Sequence, residues 1–403
     1  MNYNTLSDLM AAAGCTGYPS RWNEIFDAVM ADFDQNGCPL TDPAYYDALH
    51  KTYGVLNKHL DVFKEAALAV SKREPLARLL ALLVATLKNR DTVNADLAEL
   101  KPPVSPCGKP DLAVDMLTGL ALFAMVPYTA QKIAHRNLPP EVFHYVINNC
   151  EMCVDYYKAR YGAPGCNLIG WYQRAIEGHL IRIGRLEIQI CATFRGGSVY
   201  ENSKGERVTL CHEREIHRDG FPLGAHGFED ASGAFTATLT ETDEAYTGYP
   251  YLANGYIQAS TVTLPKAEWR QILTNGDPVI ALHIPAGGGL TPESIDQAIA
   301  ETKTFVKTYY PDIPYKAFVC SSWLLDPQLK SLVGNEANMA KFSARFTPMA
   351  QKDDGNGVMN FIFFDPDRRI PLQELPEDTR LQRALKQHYL SGRVIYVTYG
   401  YFF

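Results

Sequence analysis

The sequence is short of the features that mark an exported, membrane-embedded or nucleic-acid-binding chain. Its nine cysteines are an odd number scattered through 403 residues, which argues against a disulfide framework and for reduced thiols. No apolar run is long enough to cross a bilayer. The most apolar stretch, Met116 to Val126, lies between Asp115 and Pro127 and predicts a buried core helix. No charged segment followed by an apolar one opens the chain, so no secretory signal is expected and the cytoplasm is the expected location. Basic excess is missing too: 38 Lys and Arg stand against 45 Asp and Glu, a net charge of -7, and a general grip on nucleic acid needs a basic face. Neither nucleic acid nor membrane is therefore expected as a partner. What is present is ordinary: 46% hydrophobic and 21% charged residues, in a chain long enough for two or three cored domains.

The most informative stretch runs from Val279 to Lys307. Val279-Ile280-Ala281-Leu282-His283-Ile284 is a short apolar run rich in branched residues and predicts a strand. Pro285-Ala286-Gly287-Gly288-Gly289-Leu290 follows, and then Thr291-Pro292-Glu293 opens a helix, with an N-cap, a proline at the first helical position and an acid in the first turn. Glycines let a backbone come close to a ligand, and a helix N-terminus behind them offers free N–H groups and the positive end of the dipole. That combination suits a phosphate or pyrophosphate. The alternative is a tight strand-to-helix turn with no ligand.

Before this stretch the chain divides by periodicity. Helical spacing runs through Asn4 to Ala13, Arg21 to Phe33, Pro43 to Ser71, Pro75 to Leu100, Leu112 to His135 and Glu141 to Tyr161, with the clearest break at Pro102 to Gly108. Asp32-Phe33-Asp34-Gln35-Asn36-Gly37 matches the first half of a calcium loop, but Pro43 stands where the bidentate Glu belongs, so a polar turn is expected. Cys150 and Cys153 have the spacing of a metal pair without a second pair, and buried helix cysteines are expected. No metal is expected anywhere.

After Gly162-Ala163-Pro164-Gly165 the pattern turns extended. Leu186 to Phe194 alternates apolar and polar, as a strand with one wet face does. Glu213, Glu215 and His217 would span about 13 Å along a strand at about 3.3 Å per residue, too far for one ion. Tyr246, Tyr249, Tyr251 and Tyr256 form either a pocket rim or a cover for a sheet edge. The order then reads strand over 255–263, short helix over 264–274, central strand, helix, strand over 315–322, helix over 338–346, and a hairpin turning at 352–357. The fold class expected is α/β (α+β): an all-helical N-terminal domain over 1–136, then a mixed-sheet domain flanked by helices over 137–403, with its core at 255–365 and a βαβ crossover at the glycine loop.

Strand, glycine loop, helix, strand, and a helix ending in Arg345-Phe346-Thr347-Pro348 follow the order of the second half of a GNAT acyltransferase domain. With Gly170-Trp171-Tyr172-Gln173-Arg174, His283 to Glu293 and Phe318 to Pro327, the chain resembles a bacterial family that joins a helical N-terminal region to a GNAT-like C-terminal domain. The resemblance implies an acyl-CoA-dependent acyltransferase that uses acetyl-CoA or another acyl-CoA as donor and a small-molecule or peptide acceptor, often an amine. It implies that acyl-CoA lies between Leu282-His283-Ile284 and Phe318-Val319-Cys320. The pyrophosphate would then rest on Gly287, Gly288, Gly289, Leu290 and Thr291, with Asn338 nearby.

Within that frame His283 is the candidate base, since an imidazole beside the reacting carbon titrates near neutral pH. Its alternative is a buried histidine bonded to a neighbouring strand. Ser322 is a candidate donor to the leaving sulfur and Cys320 a candidate acyl carrier. Two departures from the family pattern stand out: Ile284 occupies the place of the usual Arg or Gln ahead of the glycines, and Phe342 that of the usual helix Tyr, four residues after Asn338. These departures favour the alternative function, a non-catalytic binding or regulatory protein on the same scaffold.

Overall fold

The computed structural model describes residue 3, residues 5–106 and residues 108–403; Asn4 and Cys107, placed by the sequence at a helix start and in the Pro102 to Gly108 break, lie outside the described residues. The chain forms two compact units, Met1–Ile181 and Arg182–Phe403. No helix among the described residues is long and apolar enough to cross a membrane.

The first unit holds twelve α-helices among its described residues, from Leu6–Ala13 to Ile169–Ile176. In Trp22–Asn36 the buried residues are Trp22, Phe26 and Met30, one per turn, and the Trp22 indole donates to Thr86 Oγ1 at 2.8 Å. The Asp32 to Asn36 stretch is the last turn of this helix, closed by Gly37 at φ 70°. The predicted 43–71 helix is divided by Gly54, left-handed at φ 65°, into Pro43–Tyr53 and Leu60–Ser71. Glycine adopts that conformation without a Cβ clash, which is why the helix stops there. The unit extends to residue 181 rather than 136 because the helices after the Leu138-Pro139-Pro140 break pack back into it. Tyr157 Oη donates to Asp115 Oδ1 at 2.9 Å, and the Cys166 amide donates to the Asp115 carbonyl at 2.7 Å.

Fourteen strands follow among the described residues: β1 (Leu180–Ile183), β2 (Leu186–Thr193), β3 (Gly197–Asn202), β4 (Arg207–Cys211), β5 (Arg214–Ile216), β6 (Phe235–Ala237), β7 (Leu239–Glu241), β8 (Ala245–Gly248), β9 (Val262–Pro265), β10 (Trp269–Thr274), β11 (Pro278–His283), β12 (Phe318–Ser322), β13 (Thr347–Met349) and β14 (Thr398–Phe402). The main sheet has the order β1-β2-β11-β12-β14-β13, and β10-β3-β4 forms a smaller sheet. β11 and β12 run parallel, joined by the Pro292–Tyr309 helix, and the pairs β2–β11, β12–β14 and β13–β14 are antiparallel. This is the expected mixed sheet with a βαβ crossover.

Three local expectations differ. The 264–274 segment is not a helix: it supplies the end of β9 and all of β10, and β10 pairs with β3 from Trp269 to Thr274. Ladder pairing there overrides helical spacing. The apolar run after the predicted hairpin turn is the helix Gly357–Phe361. Asp353 and Asp354 cap the turn by accepting from the Gly355 and Asn356 amides at 3.0 and 2.9 Å, so the chain enters a helix instead of a return strand. β14 was not anticipated, and it fills the place beside β12.

The main sheet buries both faces. On one, Val279, Ala281, Val319, Met349, Tyr399 and Tyr401 share a core with residues of β3 and β10. On the other, the Phe402 ring stacks on Phe318 at 5.1 Å and meets Phe346 edge-on at 5.1 Å.

Candidate functional site

β11 and β12 are joined in register only at Ile280 with Phe318 and Ala281 with Val319. Beyond that point Leu282 and His283 pair with Ile188 and Glu187 of β2, while Cys320, Ser321 and Ser322 pair with Gly400, Tyr399 and Thr398 of β14. The parallel ladder therefore ends where the chain reaches His283 on one side and Cys320 on the other. Two adjacent parallel strands that part at their carboxyl ends make the usual ligand position of an open α/β sheet.

Side-chain alternation sorts the candidates by face. Ala281 and Val319 lie in one core cluster, so His283 and Ser321, two residues further on, share that face. Leu282 and Cys320, at 0% and 1% exposure, belong to the opposite face. His283 and Cys320 thus do not form a nucleophile–base pair. Burial also pushes the Cys320 thiol up to about 12, and a thiol held protonated is a poor nucleophile. The structure offers Cys320 as a core residue.

His283 is half-buried, with Nε2 3.1 Å from Gln189 Oε1. An imidazole that donates through Nε2 carries its lone pair on Nδ1. Glu187 stands opposite His283 in the register and is only 5% exposed. The polar row of β2, read from the sequence as a wet face, thus runs beneath His283. Ser321 Oγ accepts from Gln351 Nε2 at 2.8 Å, and Gln351 also donates to the Val397 carbonyl at 3.1 Å. Ser322 Oγ accepts from the Leu324 amide at 3.2 Å and caps the Trp323–Leu325 turn, where Trp323 is buried.

The glycine loop leaves β11 at His283. Gly287 and Gly288 have φ of 100° and 30°, and no atom lies within 4 Å of a Cβ built on Gly287. Residues 286–289 are exposed, and Leu290 is buried beneath them. Thr291 caps the Pro292–Tyr309 helix by accepting from the Ser294 amide at 3.2 Å. Arg185, in the β1–β2 turn, carries no spacing signal that links it to the loop in the sequence. Its Nε donates to the Gly288 carbonyl at 3.0 Å and its Nη1 to the Pro285 carbonyl at 2.9 Å. A guanidinium therefore lies against the loop although Ile284 replaces the usual cation or amide. The Asn338 amide comes to 4.0 Å from a Cβ built on Gly289. Phe342, in contrast, is buried against Phe346 with ring centroids 5.2 Å apart.

The other sequence lookalikes do not converge. His212 bonds Ser198 Oγ at 2.8 Å, Glu215 accepts from Thr236 at 2.6 Å, and His217 accepts from the Asp219 amide at 3.2 Å. Among the described residues no group of three or more His, Cys, Asp or Glu side chains could hold a metal ion. Of the four tyrosines, Tyr246 meets Tyr200, Tyr249 stacks on Phe235 and Tyr256 meets Phe221; Tyr251 alone of them donates into the loop after β2, to the Gly196 carbonyl at 2.9 Å.

Residues 180–402 match the GNAT-like C-terminal domain family, more than half of the chain, and the chain belongs to that family. No curated protein matches it in sequence. Among solved structures it is similar to an acyltransferase in complex with decanoyl-CoA and teicoplanin, at 17% identity over 98% of each chain with a TM-score of 0.61. It is also similar to a variant acyltransferase in complex with octanoyl-CoA, at 18% identity, 98% of each chain and a TM-score of 0.60, and to an acyltransferase with CoA and 10C-teicoplanin, at 18%, 98% and 0.59. These likenesses cover the helical unit as well as the sheet.

Proposed function

We propose that this protein transfers an acyl group from acyl-CoA to an amine acceptor. The observation that carries the reading is the parting of β11 and β12 after Ala281 and Val319, beside a loop with three consecutive glycines and a helix N-terminus, in a chain of a GNAT-like family. The solved relatives were crystallised with decanoyl-CoA or octanoyl-CoA, which supports a medium-chain donor.

In this reading the donor lies between Leu282-His283-Ile284 and the start of β12. The pyrophosphate rests on Gly287, Gly288, Gly289, Leu290 and Thr291, where free amides and the helix dipole favour an anion, with Asn338 and Arg185 at its border. Backbone N–H groups near His283 and Ile284 receive the charge that develops on the thioester oxygen. His283 takes the proton of the attacking amine as the N–C bond forms. The C–S bond breaks, and the leaving sulfur takes a proton; Ser322, the candidate donor, would have to supply it from the face of β12 opposite His283. No covalent step through Cys320 is needed.

The alternative, a scaffold that binds without transferring, is favoured by the burial of Phe342 where the family uses a tyrosine. Release of free CoA thiol from octanoyl- and decanoyl-CoA in the presence of amines separates the two. Acceptor-dependent release supports transfer; tight acyl-CoA binding without release supports the scaffold.

A further inference from the structure

The face of the main sheet that carries His283 and Ser321 also carries a cavity of about 80 Å3, lined in part by Arg195, Gly196, Arg214, Tyr251, Gln351 and Tyr399. A cavity of about 10–15 Å3 on this scale holds one water, so the space takes a group the size of a carboxylate and its first carbons.

Its lining lacks partners on one side. Tyr399 is 4% exposed, and its hydroxyl makes no hydrogen bond of good geometry, although the Arg195 backbone N–H stands close enough to favour the phenolate. A buried hydroxyl left unpaired is costly, and one that persists in a cavity wall points to a ligand atom. Arg207, Arg218, Arg270 and Arg345 of the same unit each face a carboxylate. Arg195 and Arg214 do not: Arg195 lies over the Tyr399 ring at 5.1 Å and reaches Gln351 Oε1 only at 3.5 Å. Among the described residues neither arginine has an acid partner, as Arg182, Arg185, Arg368 and Arg383 also bond carbonyl or amide oxygens only. Arg195 is exposed and Arg214 half-buried, and what sets these two apart is that both line the cavity. Two unneutralised guanidinium groups and a phenol hydroxyl around a small space are the donor set for an oxyanion, and the guanidinium fork matches a carboxylate.

The space is also kept open by the backbone. Gly196 has φ 95°, and a Cβ there would stand 3.7 Å from Arg214 Nη2, 3.7 Å from Tyr251 Oη and 3.2 Å from Met349 Cε. A side chain at this position would fill the cavity. Gln351 connects the cavity to the strand opening, since its amide donates to Ser321 Oγ, at the carboxyl end of β12.

We propose that this cavity binds the carboxylate of the acyl acceptor, so that the acceptor is an amine of the amino-acid or peptide class. Arg195, Arg214 and the Tyr399 hydroxyl hold the carboxylate, and the amino group turns toward the opening between β11 and β12. The proposal rests on the acyl-transfer reading for its catalytic meaning, and the step is the same: the acceptor N–C bond forms, the C–S bond breaks, the amine proton goes to the base and CoA leaves as its thiol.

The test is calorimetric titration of the full chain with L-amino acids and dipeptides, each beside its own carboxamide, in parallel with octanoyl-CoA. The expected result is that at least one acid binds and its carboxamide does so at least ~10-fold more weakly. Arg214→Gln and Tyr399→Phe weaken the acid by a similar factor and leave octanoyl-CoA binding unchanged. If the acid is turned over, Arg214→Gln raises its KM and leaves kcat within about twofold. Equal binding of acid and carboxamide, unchanged affinity in both variants, or no binding by any acid overturns the proposal. If octanoyl-CoA fails to bind while an acid binds, the transfer reading fails and the carboxylate site stands.

Discussion

Replacing Arg185 by alanine removes two hydrogen bonds that hold the glycine loop from outside it, one to the Gly288 carbonyl and one to the Pro285 carbonyl. A hydrogen bond from a charged donor contributes about 1.5–3 kcal/mol when buried, and Arg185 is only half-buried, so each bond is taken at about 1 kcal/mol. The loop it restrains is exposed and unpacked at Gly287, and the donor must order that loop again on binding. A total of about 2 kcal/mol corresponds to roughly a thirtyfold loss of affinity for CoA. The core is untouched, so the melting temperature should change little. Arg185→Lys keeps the charge without the fork and should fall between the two. Calorimetry of CoA binding to the three proteins measures this directly. An Arg185→Ala protein that binds CoA within about twofold of the parent would refute the role of the loop's anchor.

Other consequences follow from the same geometry. Gly288→Glu places a carboxylate beside the proposed pyrophosphate position at a backbone φ of 30°; CoA binding should fall by at least about 2.7 kcal/mol, or a hundredfold, with the circular dichroism spectrum unchanged. Cys320→Ala should leave acyl transfer within about twofold, since Cys320 faces the core away from His283; loss of turnover with folding intact would restore the covalent route. Burial raises the Asp326 carboxyl to about 6 from 3.8, although it accepts from the Tyr396 and Gln328 amides. The folded state therefore holds this proton more tightly than the unfolded one, so its contribution is full below about pH 4 and lost as pH rises through about 6. The difference is up to about 3 kcal/mol. Urea midpoints at pH 4 and pH 7 should show a smaller drop in Asp326→Asn than in the parent, and an equal drop would count against the buried carboxyl.

The local part of the site was legible. The strand, the loop and the helix from 278 to 309 are written in short-range signals: a branched apolar run, glycines, and a Thr-Pro-Glu cap whose hydrogen bond to Ser294 is present. What depends on distant pairing was not. Arg185 reaches the loop from about a hundred residues away in sequence, and no spacing rule connects the two. Glu187 alternates as a solvent-facing residue, but it pairs with His283 of β11 and is buried, while Cys191 and Thr193 further along the same row are exposed. The sequence reading assigns no element after 365, although Val394 to Phe402 is a branched and aromatic run after Ser391-Gly392. That signal would have found β14 and with it Tyr399. The 264–274 segment mixes polar and apolar residues and 358–364 is a short apolar run, and in neither can helical and extended spacing be told apart without a partner strand. The proline pair at 139–140, just past the expected division at 136, opens the Pro140–Glu151 helix within the unit Met1–Ile181.

The most direct test of the account is thermal stability of the protein with CoA, acetyl-CoA, octanoyl-CoA and decanoyl-CoA. A ligand at about a hundred times its Kd stabilises by about 2.7 kcal/mol, or roughly 5–10 °C for a unit of this size. The account predicts such a shift with CoA, a larger one with the medium acyl chains, and its loss in Gly288→Glu. No shift with any of the four would contradict it, and the glycine loop would be a turn without a ligand.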